Sequence, residues 1–434
     1  MCILPFSVHG ITIEFDGQRD INKQRTFFRN SCCCNLIPKQ SDDDHGVQSD
    51  TFQDIRDSIR QGKLHPRCAK CTIAEQQTGS SERTLNLSAT AWPAIEKFVR
   101  DGQVGHFDFR IKFSNLCNLA CRSCSPTFSS RYAHVHGTSV PDRLTSDIAD
   151  DPKIWQDIID ALDRYLDQHE HMTISLFGGE SFIQPGAWRL IEYLDQRGLS
   201  QRLTLDVTTN FTTLVDRFLD RLPRFRDVSI KASIDSVEEN FEYVRWPGKW
   251  TDIIQNVENF FSQPHYSRVK FTVQPLINLN NVFYLEQILD FWFNVKQRWP
   301  DRIFGMNTVM MYRPFHMTIP NLPLRYRPPL IELLERSISH PFLTSRHAMT
   351  FRSFLEDMRH SIMSDQNYLD QFELFLYDAA RLDRNYQSNM SSGNQKFYQL
   401  FDNQHRDLYQ GWREQTNARE LPKTQMKIYH QLPL

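Results

Sequence analysis

The chain has 434 residues, 40% of them hydrophobic and 24% charged, with a formal net charge of −2; this suits a soluble globular protein of one large domain with appendages, or of two to three domains. A balance so near zero excludes a global basic field for nucleic acid or an anionic membrane, and no apolar run reaches the roughly 18–20 residues that span a bilayer. The opening MCILPFSVHG lacks the basic start, long apolar stretch and small-residue cleavage site of a secretory signal, so the expected location is the cytoplasm.

Residues 1–100 hold short β-like pieces, a polar insert (QSDDDHGVQSD) and the cysteines Cys2, Cys32, Cys33, Cys34, Cys68 and Cys71. Three more, Cys117, Cys121 and Cys124, bring the count to nine, and none follows. In a reducing compartment such clustering favours metal or cluster ligation over disulfides. The odd count and the adjacent triplet point the same way.

From about residue 107 the sequence alternates between two periods. Strand patterns occur at 107–113, 172–177, 202–209, 227–234, 268–277 and 302–311, each a short β-rich run. Between them, KIWQDIIDALDRYL places Ile154, Trp155, Ile158, Ile159, Leu162 and Leu166 at helical spacing. AWRLIEYLDQRG stops at Gly198, and WTDIIQNVENFF and VFYLEQILDFWFNVKQ repeat the helical theme. Strands alternating with helices predict an α/β fold with a mostly parallel sheet, here a partial (β/α)6 TIM-like barrel over 101–320. Its reactive groups belong at the C-terminal ends of the strands. A cysteine-rich module at 1–100 precedes it, and a mostly helical extension at 321–434 follows, with QSNMSSGNQK as a loop.

The first barrel strand runs into SNLCNLACRSCSP, which spaces Cys117, Cys121 and Cys124 as C-x3-C-x2-C. Three thiolates on one loop can hold three irons of a cubane [4Fe–4S] cluster and leave the fourth iron open. The open iron can chelate the amino and carboxylate groups of S-adenosylmethionine. A ferredoxin-type cluster asks for a fourth protein ligand; a zinc site asks for four ligands, or three with water.

Further motifs follow at strand ends. LFGGES supplies Gly178, Gly179 and Glu180: the glycines allow close backbone approach and the carboxylate can accept from an ammonium, or the three make a tight turn. Asn210 ends the TTN run as a ligand contact or a helix cap. IKASIDS puts Ser233 and Asp235 on one strand face, with Asp235 alternatively a cap. In YVRWPGKW, Arg245 is the candidate carboxylate clamp.

In this order the motifs resemble the radical S-adenosylmethionine superfamily. The resemblance implies a site-differentiated [4Fe–4S] cluster on Cys117, Cys121 and Cys124, with Gly178, Gly179, Glu180, Asn210, Ser233, Asp235 and Arg245 around S-adenosylmethionine. It implies reductive cleavage to methionine and a 5′-deoxyadenosyl radical, which takes hydrogen from a substrate, a peptide or protein or a small molecule. An electron donor such as flavodoxin or ferredoxin is implied as partner. Many members carry an aromatic residue before the last motif cysteine; here it is Ser123. The N-terminal cysteines resemble auxiliary-cluster modules of the twitch and SPASM type, which implies Cys2, one of Cys32, Cys33 and Cys34 (Cys33 is favoured), Cys68 and Cys71 as ligands of a second Fe–S cluster. The same four suit zinc.

His134 and His136 in RYAHVHG suggest a metal pair but lack an acidic or cysteine partner at convincing spacing, so they read as loop histidines. Aromatic-rich FYLEQILDFWF reads as a helix face packed on the sheet. The rival reading of the whole chain is a non-catalytic Fe–S or zinc scaffold that binds a partner.

Overall fold

The computed structural model describes residues 8–14, 27–31, 54–55, 57–58, 61–69, 71–72, 106–138, 146–168, 172–302, 304–307, 311, 313–344, 349–363 and 368–414. Among the described residues eight strands form one sheet: β1 (Val8–Glu14), β2 (Phe27–Ser31), β3 (His106–Lys112), β4 (Met172–Phe177), β5 (Leu203–Thr209), β6 (Asp227–Ala232), β7 (Lys270–Val273) and β8 (Phe304–Met306). Their order is β2-β1-β3-β4-β5-β6-β7-β8. Only β2 runs antiparallel, to β1; every other pairing is parallel. The six strands from β3 to β8 correspond to the six read from the sequence, and together with their helices they make the α/β, partial-barrel architecture. β1 and β2 extend the same sheet beyond β3.

Among the described residues the helices longer than one turn are α1 (Ser130–Val135), α2 (Pro152–Gln168), α3 (Pro185–Gln196), α4 (Glu238–Val244), α5 (Trp250–Ser262), α6 (Leu285–Arg298), α7 (Arg327–Ile338), α8 (Met349–Ile362), α9 (Leu369–Tyr386) and α10 (Asn403–Glu414). The stop expected at Gly198 is real: it follows α3 with φ of +69°, a conformation glycine adopts without steric cost. Two sequence expectations need correction. The stretch 387–396 contains single helical turns at Met390–Gly393 and Gln395–Tyr398, because Asn389 caps the first by accepting from Ser391 N and Met390 is buried. The histidines of RYAHVHG lie on α1 and at its end, because Ser129 Oγ accepts from Tyr132 N and starts a helix there.

Alternation along the strands divides the sheet into two chemically opposite faces. Phe109, Ile111, Ile174, Leu205, Ile230 and Val273 are buried on the helix-covered side. On the inner side, Arg110, Ser175, Asp206 and Ser229 stand in register across four strands. Asp108 accepts from Arg110 Nε at 2.5 Å and from Ser175 Oγ at 2.6 Å, and Lys231 pairs with Asp206. Closed eight-stranded barrels fill this space with Val, Ile and Leu. Here the inner face is built for polar company. No helix among the described residues is long and apolar enough to cross a membrane.

The two faces predict opposite sensitivities. Leu205→Ala, under the helices, should cost about 2–5 kcal/mol in urea unfolding. Ser229→Ala, on the inner face, should stay within about 0.5 kcal/mol.

Candidate active site

The loop after β3 is shaped by its own polar groups. Leu116 N donates to Ser114 Oγ at 3.2 Å and Cys117 N to Ser130 Oγ at 3.2 Å. Asn115 bonds Pro126 O, and Ser129 Oγ donates to Leu119 O at 2.5 Å. The second half of the loop is tied to the end of α4: Ala120 N donates to Trp246 O at 2.7 Å and Arg122 N to Val244 O at 2.9 Å. This fixes a chain segment that has no secondary structure of its own.

Cys117, Cys121 and Cys124 are free thiols, with Cys121 buried and the other two half-buried. Burial pushes the Cys117 thiol up to about 12, with the charge of Cys121 adding to the effect. Cys124 rises for the same reason, burial first and then its two neighbours, and burial raises Cys121 although Arg245 opposes it. As a bare triad these groups hold their protons; as thiolates they need a cation among them. Donors already face the sulfurs. Leu119 N lies 3.5 Å from Cys117 Sγ, Asn210 Nδ2 lies 4.0 Å from it, and Arg245 Nη1 lies 3.7 Å from Cys121 Sγ.

Among the described residues no group of three or more His, Cys, Asp or Glu side chains is arranged to hold one metal ion. A cubane makes a different demand, since each thiolate takes its own iron. Three buried or half-buried thiols on one loop, with N–H groups aimed at the sulfurs of Cys117 and Cys121, are a donor set that fits such a cluster.

Gly178, Gly179 and Glu180 follow β4, and the glycines bring the chain against the cysteine loop. Gly178 has φ of +118°. A Cβ on Gly179 would lie 2.0 Å from Leu116 O. Glu180 N donates to Leu116 O at 2.8 Å. The Glu180 carboxylate is fully buried and accepts from Phe182 N at 3.0 Å, Thr209 Oγ1 at 2.7 Å and Asn210 N at 2.6 Å. Burial pushes its pKa up while these bonds pull against that. Three of a carboxylate's roughly four acceptor positions are thus taken by the strand ends.

Asn210 Nδ2 donates to Asn118 Oδ1 at 2.8 Å, and Asn210 Oδ1 accepts from Thr212 N at 2.9 Å. It closes a local turn and joins the cysteine loop. It does not cap the one-turn helix Asp216–Leu219, whose N-cap is Val215. The chain reverses at Phe211, a buried residue at φ of 60°, which costs roughly 1–2 kcal/mol. Packing of its ring against Phe260 and Phe271 holds it there.

Asp235 does not cap α4 either; that position is Val237. Its Oδ1 accepts from Leu276 N, and its Oδ2 takes both Nε and Nη2 of Arg245 at 2.8 Å. Asp235 thereby aims the guanidinium so that Nη1 faces Cys121. Ser233 is half-buried, with its N–H on Thr209 O at 2.8 Å, and Ser123 is half-buried within the cysteine loop. Gly178, Gly179, Glu180, Asn210 and Arg245 therefore converge on one loop, with Asp235 one bond behind. Asn118 and Arg122 belong to the same constellation, and no sequence motif singles them out. Both lie inside the cysteine motif, and a charged residue between two cysteines was the available signal.

Cys68 and Cys71 are buried in successive helical turns, where three-residue spacing puts side chains on one face. Cys2, Cys32, Cys33 and Cys34 lie outside the described residues. His136 binds Tyr386 OH at 2.9 Å through Nε2, while Asn385 Nδ2 and Arg381 Nη1 approach Nδ1 at 2.8 and 3.2 Å. It is a joint between α1 and α9.

Two outcomes follow from these contacts. Gly179→Ala should push the GGE turn off the loop, costing about 1–3 kcal/mol in denaturant melting. Burial, and then Arg381, lower the His136 pKa from 6.5 to about 4. Between those values the unfolded chain binds the proton and the folded one does not, so this part of the stability is present above pH 6.5 and is lost as pH falls toward 4. His136→Gln should flatten that part of the profile in pH-dependent melting.

No family model and no curated protein matches the chain. Among solved structures it is similar to Streptococcus suis SuiB bound to S-adenosylmethionine, with 14% identity over 68% of this chain and 61% of that one, at a TM-score of 0.37. It is also similar to anSMEcpe with bound S-adenosylmethionine, with 14% identity over 55% and 62%, at 0.37. A third is the Kitasatospora setae radical S-adenosylmethionine methyltransferase TsrM with cobalamin and a [4Fe–4S] cluster, with 11% identity over 71% and 61%, at 0.34. The chain spans about three fifths of the length of each. At such levels of likeness, function has to be read from the chain's own residues. In its cysteine loop, its strand-end motifs and its parallel sheet, the chain resembles radical S-adenosylmethionine enzymes.

Proposed function

We propose that the chain is a radical S-adenosylmethionine enzyme. The observation that carries this reading is the three-thiol loop at the C-terminal end of β3, onto which the ends of β4, β5 and β6 and the end of α4 fold their polar groups. Cys117, Cys121 and Cys124 would hold a [4Fe–4S] cluster. With cluster and S-adenosylmethionine bound, the chemistry supplied is one-electron cleavage of the sulfonium to methionine and a 5′-deoxyadenosyl radical that takes hydrogen from the substrate.

The chain's own residues bind and orient. Leu119 N and Asn210 Nδ2 place N–H groups at Cys117, and Arg245 does so at Cys121; hydrogen bonds to cluster sulfurs raise a cluster's potential and ease its reduction. Gly178, Gly179, Glu180, Asn210, Ser233, Asp235 and Arg245 form the S-adenosylmethionine pocket. Arg245, anchored by Asp235, presents its remaining donors to a carboxylate. Burial of the loop keeps water from the reacting centre.

The substrate sits against the inner face, where Arg110, Asp206 and Lys231 favour a polar, hydrogen-bonding molecule, a peptide or a small metabolite. Cys2, Cys33, Cys68 and Cys71 carry a second Fe–S cluster in a module spanning 1–100, ahead of the barrel at 101–320 and the helical extension at 321–434. A flavodoxin or ferredoxin supplies the electron.

Anaerobically reconstituted protein given dithionite and S-adenosylmethionine should release 5′-deoxyadenosine. Cys121→Ala should release none, and Arg245→Ala should weaken S-adenosylmethionine binding about tenfold or more, as expected for loss of a charge-assisted bond. No 5′-deoxyadenosine from the fully loaded wild-type protein would contradict the reading.

A further inference from the structure

Arg122 lies between Cys121 and Cys124 and is only 2% exposed. A buried guanidinium in a metal-binding loop needs a counter-charge, and it comes from the far end of the chain. Arg122 Nε donates to Tyr243 O at 2.7 Å. Its Nη2 donates to Asp383 Oδ1 and, at 2.7 Å, to Ser388 Oγ. The guanidinium lies 3.5 Å from the centre of the Tyr243 ring.

Asp383, on α9, is fully buried and is the hub of this contact. Besides Arg122, its carboxylate accepts from Ser388 Oγ at 2.7 Å, from Met390 N at 3.0 Å and from Tyr409 OH on α10. Neighbouring contacts join the same two parts of the chain. Trp246, whose carbonyl holds Ala120 N, stacks on Tyr386 at 4.7 Å and 3°. Gly393 leaves room for the Tyr243 ring, which a Cβ would meet at 2.3 Å.

A buried ion pair adds little net stability over a well-packed apolar pair of equal volume; its advantage is directional. An apolar residue at 122 would fill the space without fixing the loop's orientation.

We propose that Asp383 is a positioning residue for the metal-binding loop: through Arg122 it sets the placement of Cys121 and Cys124. The C-terminal helices then complete the metal site. This rests on the reading of Cys117, Cys121 and Cys124 as cluster ligands.

The test uses full-length wild-type, D383N, R122M and Y409F proteins after anaerobic reconstitution, with folding checked by far-ultraviolet circular dichroism. Two quantities are read: the rate of iron release to a chelator and the midpoint potential of the cluster. D383N and R122M should release iron about tenfold faster, the usual consequence of losing a group that orients a ligand. Their potentials should move in opposite directions, D383N upward and R122M downward, because each leaves the partner's charge uncompensated. Y409F removes one hydrogen bond to Asp383 and should release iron roughly threefold faster while keeping the fold; it decides the matter if the charge variants unfold. Unchanged release and potential in folded D383N and R122M, or unchanged release in Y409F where those two unfold, would overturn the proposal and leave the cluster assignment standing. A wild-type protein that binds no iron would overturn the cluster assignment and this inference together.

Discussion

Three thiols held on one loop, one buried and two half-buried, repel one another as thiolates and resist ionising as thiols. The rest of the site is organised around that conflict. Burial raises Cys117, Cys121 and Cys124, and their mutual charge raises Cys117 and Cys124 further. Without a rigid frame the loop would splay. The frame comes from every direction: Glu180 N on Leu116 O, Asn210 on Asn118, Val244 and Trp246 carbonyls on Arg122 and Ala120, and Asp383 on the Arg122 side chain.

The parallel sheet is what makes this convergence possible. Strands that all run one way deliver their C-terminal ends to one edge, so residues far apart in sequence arrive at the same loop. Asn210 and Cys117 are 93 positions apart, and Arg245 and Cys121 are 124 apart. The same alternation that hides Leu205 and Ile230 under helices leaves Asp206 and Lys231 on the inner face. One structural period thus sets both the core and the polar cavity beside the site.

Much of this was legible beforehand, for a physical reason. The six barrel strands carry period-two alternation, and the helices between them carry their own stripe, so element types and rough bounds followed. The cysteine spacing and GGE turn are local in sequence and could be read locally. Long-range partners could not. Nothing near Arg122 announces Asp383, which is 261 residues away. The pairing of β1 with β3, and of β2 with β1, depends on sheet register, which periodicity does not encode. Asn210 and Asp235 were each weighed as helix caps because a polar residue after a strand has that local signature. Only the folded chain shows Asn210 closing a turn against the cysteine loop and Asp235 steering Arg245. His136 reads as a loop residue in the sequence because its partners, Tyr386, Arg381 and Asn385, all lie on α9.

The most direct test is electron paramagnetic resonance with iron counting on anaerobically reconstituted, dithionite-reduced protein, with and without S-adenosylmethionine. The account predicts a [4Fe–4S] signal that changes on adding S-adenosylmethionine, with about four irons for one cluster and about eight if the N-terminal cysteines carry a second. Iron that gives a signal indifferent to S-adenosylmethionine would contradict it and favour a scaffold that keeps the fold without the chemistry.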